Sequence, residues 1–211
     1  PLVSIRIGGA ATLFSVYLLI TKRSLPVWGN GLGALLFVGI FNTAIPFFLI
    51  SWGETRIDSS MATVLNATVP LFNLIIAHFL LADERLNILK ISGLLMGFLG
   101  VVVLVSGGLS NVEVSLAGQG AVLLASLSYA SAIVTIRYKL RHLDPYTTAG
   151  WSLVIGAAVI IPITLVLATP LPTNVSTEAL AAGITLAVVN TFVAYFLFYG
   201  LISEWGVRAS L

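Results

Sequence analysis

Charge is what this chain lacks most. Asp, Glu, Lys and Arg make up 9% of its 211 residues, against roughly 25% in a soluble domain. So few charges cannot cover a globule in water, and a water-soluble single domain is excluded. Cysteine is absent altogether, which removes thiol nucleophiles, thiolate metal sites and disulfide staples. The two histidines, His78 and His142, stand far apart in sequence, and no Asp or Glu lies in the middle of an apolar run. No catalytic residue, metal ligand set or cofactor is therefore expected. The net charge of +2 and the scattered basic residues give no reason to expect nucleic acid. What is abundant is apolar: 58% of residues, with a mean hydropathy of +1.07. Lipid is the solvent for most of this surface, and the bilayer is the first expected partner.

A helix needs about 20 apolar residues to cross the hydrocarbon. Seven such stretches are expected at 2–20, 32–53, 59–81, 88–106, 117–136, 147–168 and 179–201, with an eighth starting near 206. The punctuation between them is of the usual kind, such as Lys22-Arg23 with Pro26, Gly107-Gly108 and Pro170-Leu171-Pro172. Eight basic residues (Lys22, Arg23, Arg85, Lys90, Arg137, Lys139, Arg141 and Arg208) fall on one side of the membrane, and two, Arg6 and Arg56, on the other. The positive-inside rule puts the loops 21–31, 82–87 and 137–146 in the cytoplasm, in a bacterial inner membrane.

Sliding the chain along itself by 148 residues sets Asn42-Thr43-Ala44-Ile45-Pro46-Phe47-Phe48-Leu49 beside Asn190-Thr191-Phe192-Val193-Ala194-Tyr195-Phe196-Leu197. Polar Asn-Thr pairs inside apolar spans are uncommon. The match relates span two to span seven, five crossings later, so the copies enter the membrane from opposite faces. Inverted repeats of this kind belong to secondary transporters, whose halves rock about a site near the midplane.

Further residues carry a resemblance: Pro1 with Arg6, Asp58-Ser59-Ser60-Met61-Ala62 leading to Val69-Pro70-Leu71-Phe72, and Asp83-Glu84-Arg85-Leu86. Gly93, Gly97 and Gly100 follow, then Ser126-Leu127-Ser128-Tyr129-Ala130 and Leu143-Asp144-Pro145. In order and spacing they resemble the EamA-type transporters of the drug/metabolite transporter superfamily. That resemblance implies an all-α, polytopic membrane helix bundle of ten helices in two inverted five-helix repeats. Residues 1–106 would be the first repeat lacking its first helix, and 117–211 the second lacking its last helices.

Polar residues inside the spans are the candidate site. Asn66, Pro70 and Asn73 share one helix face at spacings of four and three. Pro70 frees the carbonyl of Asn66, and Pro46 that of Asn42, so both prolines are expected helix kinks. Asn42, Thr43, Asn66, Tyr129, Asn190 and Tyr195 are the expected lining of a substrate cavity. The competing reading makes the amides and hydroxyls glue between helices. His78 and Glu84 are candidates for a gate or for proton coupling, set against an interfacial histidine and a solvated turn. Arg6 is expected to snorkel toward the outer interface. Gly93, Gly97 and Gly100 form a helix-packing stripe, one use of which is a homodimer contact.

No carboxylate, lysine or arginine is expected at mid-span, which directs the reading to small neutral, zwitterionic or hydrophobic organic solutes such as amino acids. An exporter or permease working by alternating access is the leading expectation. A non-transporting scaffold or receptor gives no reason for matched Asn-Thr pairs. An intramembrane enzyme lacks the residues for chemistry, and an ion channel lacks a ring of charge or a filter-like backbone.

Overall fold

A computed structural model describes residues 2–23, 31–81, 87–107, 115–167 and 176–205. Among these every regular element is helical. The elements are α1 (Leu2–Ile20), α2 (Leu32–Gly39), a π-helical turn π1 (Ile40–Ala44), α3 (Ile45–Gly53), α4 (Ser59–Asn66), α5 (Val69–Leu80) and α6 (Ile88–Gly107). They continue with α7 (Leu116–Lys139), α8 (Pro145–Leu167), α9 (Thr177–Ala187), a second π-helical turn π2 (Val188–Val193) and α10 (Ala194–Trp205). Among the described residues, six segments are long and apolar enough to cross a membrane: Val3–Ile20, Leu32–Gly53, Ser59–Leu80, Leu116–Lys139, Pro145–Val166 and Thr177–Gly200. The fourth expected span is α6, whose apolar part is Ile88–Val103. The chain is a multi-pass integral membrane protein. Leu19, Phe79 and Ile88 are each at least three-quarters exposed, an arrangement that hydrocarbon accepts and water does not. The expected eighth span lies outside the described residues.

The chain divides into two compact units. Unit 1 is Pro1–Ala44 with Lys139–Leu211, and unit 2 is Ile45–Tyr138. In unit 1, small residues set the helix approaches. A methyl group on Gly9 would stand 2.9 Å from the Ala187 side chain. The Phe14 and Phe192 ring centroids lie 5.0 Å apart, and those of Tyr17 and Phe196 5.2 Å. These residue numbers rise together, so α1 runs parallel to α9–π2–α10. Gly8 packs on Ile161, and Gly150 on Leu18, so α1 is antiparallel to α8. Gly39 packs on Ile155, and Gly156 on Thr43, which makes α2–π1 parallel to α8. It follows that the two segments carrying Asn-Thr, α2–π1 and α9–π2–α10, run in opposite directions.

Each Asn-Thr pair also sits in a π-helical turn, a rare element that is frequent at functional sites. The first turn ends just before Pro46, which brings no N–H to the carbonyl four residues back. In the second, the Thr191 hydroxyl donates to the Leu186 carbonyl at 3.0 Å, five residues back.

Unit 2 holds another interrupted span. Between α4 and α5, Ala67 and Thr68 leave the α-helical register just ahead of Pro70. The Thr68 hydroxyl donates to the Leu65 carbonyl at 2.6 Å, and the Ser126 hydroxyl of α7 lies 3.3 Å from the same oxygen. Ala62 and Leu65 pack with Val122, and Ala77 and Leu81 with Val134. The α4–α5 span therefore runs parallel to α7.

Candidate functional site

In unit 1, π1 carries Asn42 and Thr43 into the interior, where Asn42 is nearly buried and Thr43 fully so. The Asn42 amide donates from Nδ2 to the Tyr195 hydroxyl of α10 at 3.3 Å. That hydroxyl in turn points its proton at the Asn42 carbonyl, 3.5 Å away. One phenol thus serves both the amide and the carbonyl that Pro46 leaves without its usual donor. The Thr43 hydroxyl meets the Ser152 hydroxyl of α8 at 3.3 Å. Gly156 makes this approach feasible, because a methyl group there would fall 2.4 Å from Thr43 side-chain atoms.

The second turn is arranged otherwise. Thr191 is fully buried and accepts from Arg6 Nε at 2.9 Å. The expectation that Arg6 snorkels to the outer interface is corrected: Thr191 lies midway along α9–π2–α10, and its hydroxyl offers the guanidinium a partner inside the protein. Asn190, the counterpart of Asn42, is exposed. Tyr199, one turn beyond Tyr195, is 2% exposed. Asn42, Thr43 and Tyr195 thus come together in unit 1, whereas Asn190 faces away from them.

Asn66 and Tyr129 belong to unit 2. Asn66 Oδ1 lies 3.4 Å from the Ser126 hydroxyl, and the Tyr129 ring meets Phe47 edge-on at 6.4 Å. Asn73 is buried, and its Oδ1 has no hydrogen-bond partner among the described residues. His78 is half-buried, with its ring against Phe79. Of the glycine stripe, Gly97 packs on Leu71, whereas no described atom lies within 4 Å of a methyl group at Gly93 or Gly100. Glu84 lies outside the described residues. No cluster of three or more His, Asp or Glu side chains that could hold a metal occurs among the described residues.

One end of unit 1 carries a charged pair. Arg23, just past α1, is ion-paired with Asp144, just before α8. Asp144 Oδ2 also accepts from the Thr147 N–H at 2.8 Å and the Thr147 hydroxyl at 2.9 Å, capping α8. Partial burial works against the Asp144 carboxylate. The Arg23 guanidinium and the two Thr147 donors outweigh it and hold the carboxyl below its usual range. The hydrogen bond to Asp144 likewise raises Arg23 above its ordinary value.

Ser152 escaped the sequence reading, although Ser152 and Gly156 form a small-xxx-small pair on α8 that announces close packing. Ser126 stood in the sequence only as part of the Ser126-Leu127-Ser128-Tyr129-Ala130 motif.

The chain matches the EamA-like transporter family over residues 1–106 and 116–210. It is 29% identical over 154 residues to the uncharacterised transporter YoaV of Bacillus subtilis, covering 72% of this chain and 52% of that protein. An uncharacterised transporter of Archaeoglobus fulgidus is 28% identical over 216 residues, 99% of this chain and 72% of its own length. Protein PecM of Dickeya dadantii is 28% identical over 184 residues, 86% of this chain and 60% of PecM. The chain thus spans between 52% and 72% of the length of these relatives.

Proposed function

The chain belongs to the EamA-like transporter family, and from that premise we propose that it is the working part of a secondary carrier. Its solutes are small neutral, zwitterionic or hydrophobic organic metabolites such as amino acids, moved by alternating access. The observation that carries this reading is the Asn42–Tyr195 pair. It joins two oppositely directed segments, from the first π-helical turn to the start of α10 just past the second, where polar groups are costly unless they serve packing or a ligand. The side chains bonded there, Asn42, Thr43, Tyr195 and Ser152, offer amide and hydroxyl groups to a solute. Arg6 beside Thr191 adds a positive pole, which favours zwitterions within that class. In unit 2, Asn66 and Tyr129 are a second polar patch with the same chemistry. The matched segments support two inverted repeats, 1–106 and 117–211. The excess of basic residues supports cytoplasmic placement of the loops 21–31, 82–87 and 137–146 in a bacterial inner membrane.

Reconstitution of the full-length protein in proteoliposomes tests this reading, with counterflow of a panel of labelled amino acids as the readout. Wild-type protein is expected to accelerate at least one of them above empty liposomes. Tyr195→Phe and Asn42→Ala are each expected to lower that rate about tenfold, the equivalent of one lost hydrogen bond to a polar solute. Flux and selectivity unchanged in both variants would contradict the site.

A further inference from the structure

Along α1 of unit 1 the partners change in a fixed order. Arg6 meets Thr191, Phe14 meets Phe192, Tyr17 meets Phe196, and Arg23, beyond the helix end, meets Asp144. From Arg6 to Arg23, about 26 Å of rise along α1, the partners pass from polar to aromatic to an ion pair, and on the facing span Thr191 directly precedes Phe192, so the polar level borders the first aromatic one. The aromatic levels are continuous. Tyr146 meets Phe196 at 4.9 Å and Tyr17 at 5.9 Å, and Phe192 meets Phe196 at 6.2 Å. The Arg23 guanidinium lies over these rings, 4.9 Å from the Tyr146 centroid and 5.8 Å from that of Tyr17.

The turn that brings Arg23 there is strained. The Lys22 N–H bonds the Leu19 carbonyl and the Arg23 N–H bonds the Leu18 carbonyl, which is the Schellman pattern of a helix end. Its left-handed position usually holds glycine, yet here it is Lys22, with φ of 49°. Strain of this kind persists where surrounding contacts hold it and is concentrated at switch regions. The ion pair is weak as structural glue, since its side chains are 31% and 39% exposed. A closure that must open repeatedly needs that modest strength.

We propose that Tyr17, Tyr146 and Phe196, latched by Arg23 and Asp144, form a gate that closes the basic-loop end of unit 1. The gate separates the polar level at Thr43, Ser152, Thr191 and Tyr195 from the cytoplasm. It rests on the carrier reading for what passes through, and on the loop charges for which side it faces.

The chain contains no cysteine; in the full-length protein, with any cysteine outside these residues replaced by serine, a single Ser152→Cys reporter reads access to the polar level without any solute. Inside-out vesicles would be treated with a membrane-impermeant maleimide. Arg23→Gln and Asp144→Asn are each expected to speed labelling about fivefold, the equivalent of about 1 kcal/mol. Asn still caps α8, so Asp144→Asn leaves that helix start intact. Exchanging the two charges, Arg23→Asp with Asp144→Arg, is expected to bring the rate back toward that of the reporter alone. Tyr146→Ala supplies an independent opening of the aromatic level. Labelling unmoved in all of these variants overturns the gate, as does equal acceleration in right-side-out vesicles, which would signify general loosening. Accelerated labelling in a protein that carries no tested solute keeps the gate and fails the carrier reading. Solute flux with labelling unmoved does the reverse.

Discussion

The two π-helical turns share a dipeptide and little else. In both, threonine is fully buried: Thr43 against Ser152, and Thr191 between Arg6 and the Leu186 carbonyl. The asparagines part company, with Asn42 inside and bonded to Tyr195, and Asn190 exposed. Pro46 follows the first turn, whereas the matching position after the second is Ala194, which keeps its N–H and bonds the Val189 carbonyl. The repeat has therefore kept a backbone device and a packed threonine. The polar chemistry around them differs between the two turns: an amide–phenol pair at the first and a guanidinium–hydroxyl pair at the second.

Substitutions can break or sharpen this contrast. The largest effect is expected at Gly156→Ala, because the new methyl group would fall on a β-branched threonine with little freedom to turn away. A loss of about 1–3 kcal/mol should appear as a lower melting temperature in detergent. Next comes Thr191→Val, which removes the acceptor of the Arg6 Nε–H bond inside the membrane and should cost about 2 kcal/mol. Thr43→Val removes the long hydroxyl contact with Ser152 and a weaker one with Tyr195, and should cost less than about 1 kcal/mol in the same assay. Equal losses in the two valine variants would erase the asymmetry between the turns.

The asparagines give smaller numbers of the same kind. Asn42→Ala should destabilise by about 1 kcal/mol, and Asn190→Ala by less than about 0.5 kcal/mol. The smallest effect concerns pH. The folded Asp144 carboxyl is held below its usual value, so its contribution to the latch is complete above the unfolded carboxylate range near about 4. That contribution fades as pH falls through the lower folded value. Maleimide labelling, corrected for the reagent's own pH dependence, should thus stay flat from about pH 8 to about pH 5. A rise in that interval would give the latch to another group.

Hydropathy made the spans readable, because lipid admits few other ways to hide a backbone. The expected stretches 2–20 and 32–53 match α1 and α2–π1–α3 end to end. The Asn-Thr match pointed to both unusual turns. Which asparagine faces inward was not readable, for a physical reason. A π-helical turn inserts a residue and rotates everything after it by about 100°, so face assignments at 3.6 residues per turn fail where the site begins. Arg6 was misplaced because its environment depends on a span 185 residues away. The packing use of Gly93 and Gly100 could not be judged from spacing, since a small-residue stripe does not say which partner fills it.

A double-mutant cycle on transport, using the full-length protein with Asn42→Ala, Tyr195→Phe and the pair combined, goes straight to the claim that these two side chains act as one unit of the solute site. Each single variant should raise KM for the carried amino acid, and the combination should be no worse than the poorer single variant, with a coupling of about 1 kcal/mol. Strictly additive losses, or a KM that none of the three variants moves, would contradict it.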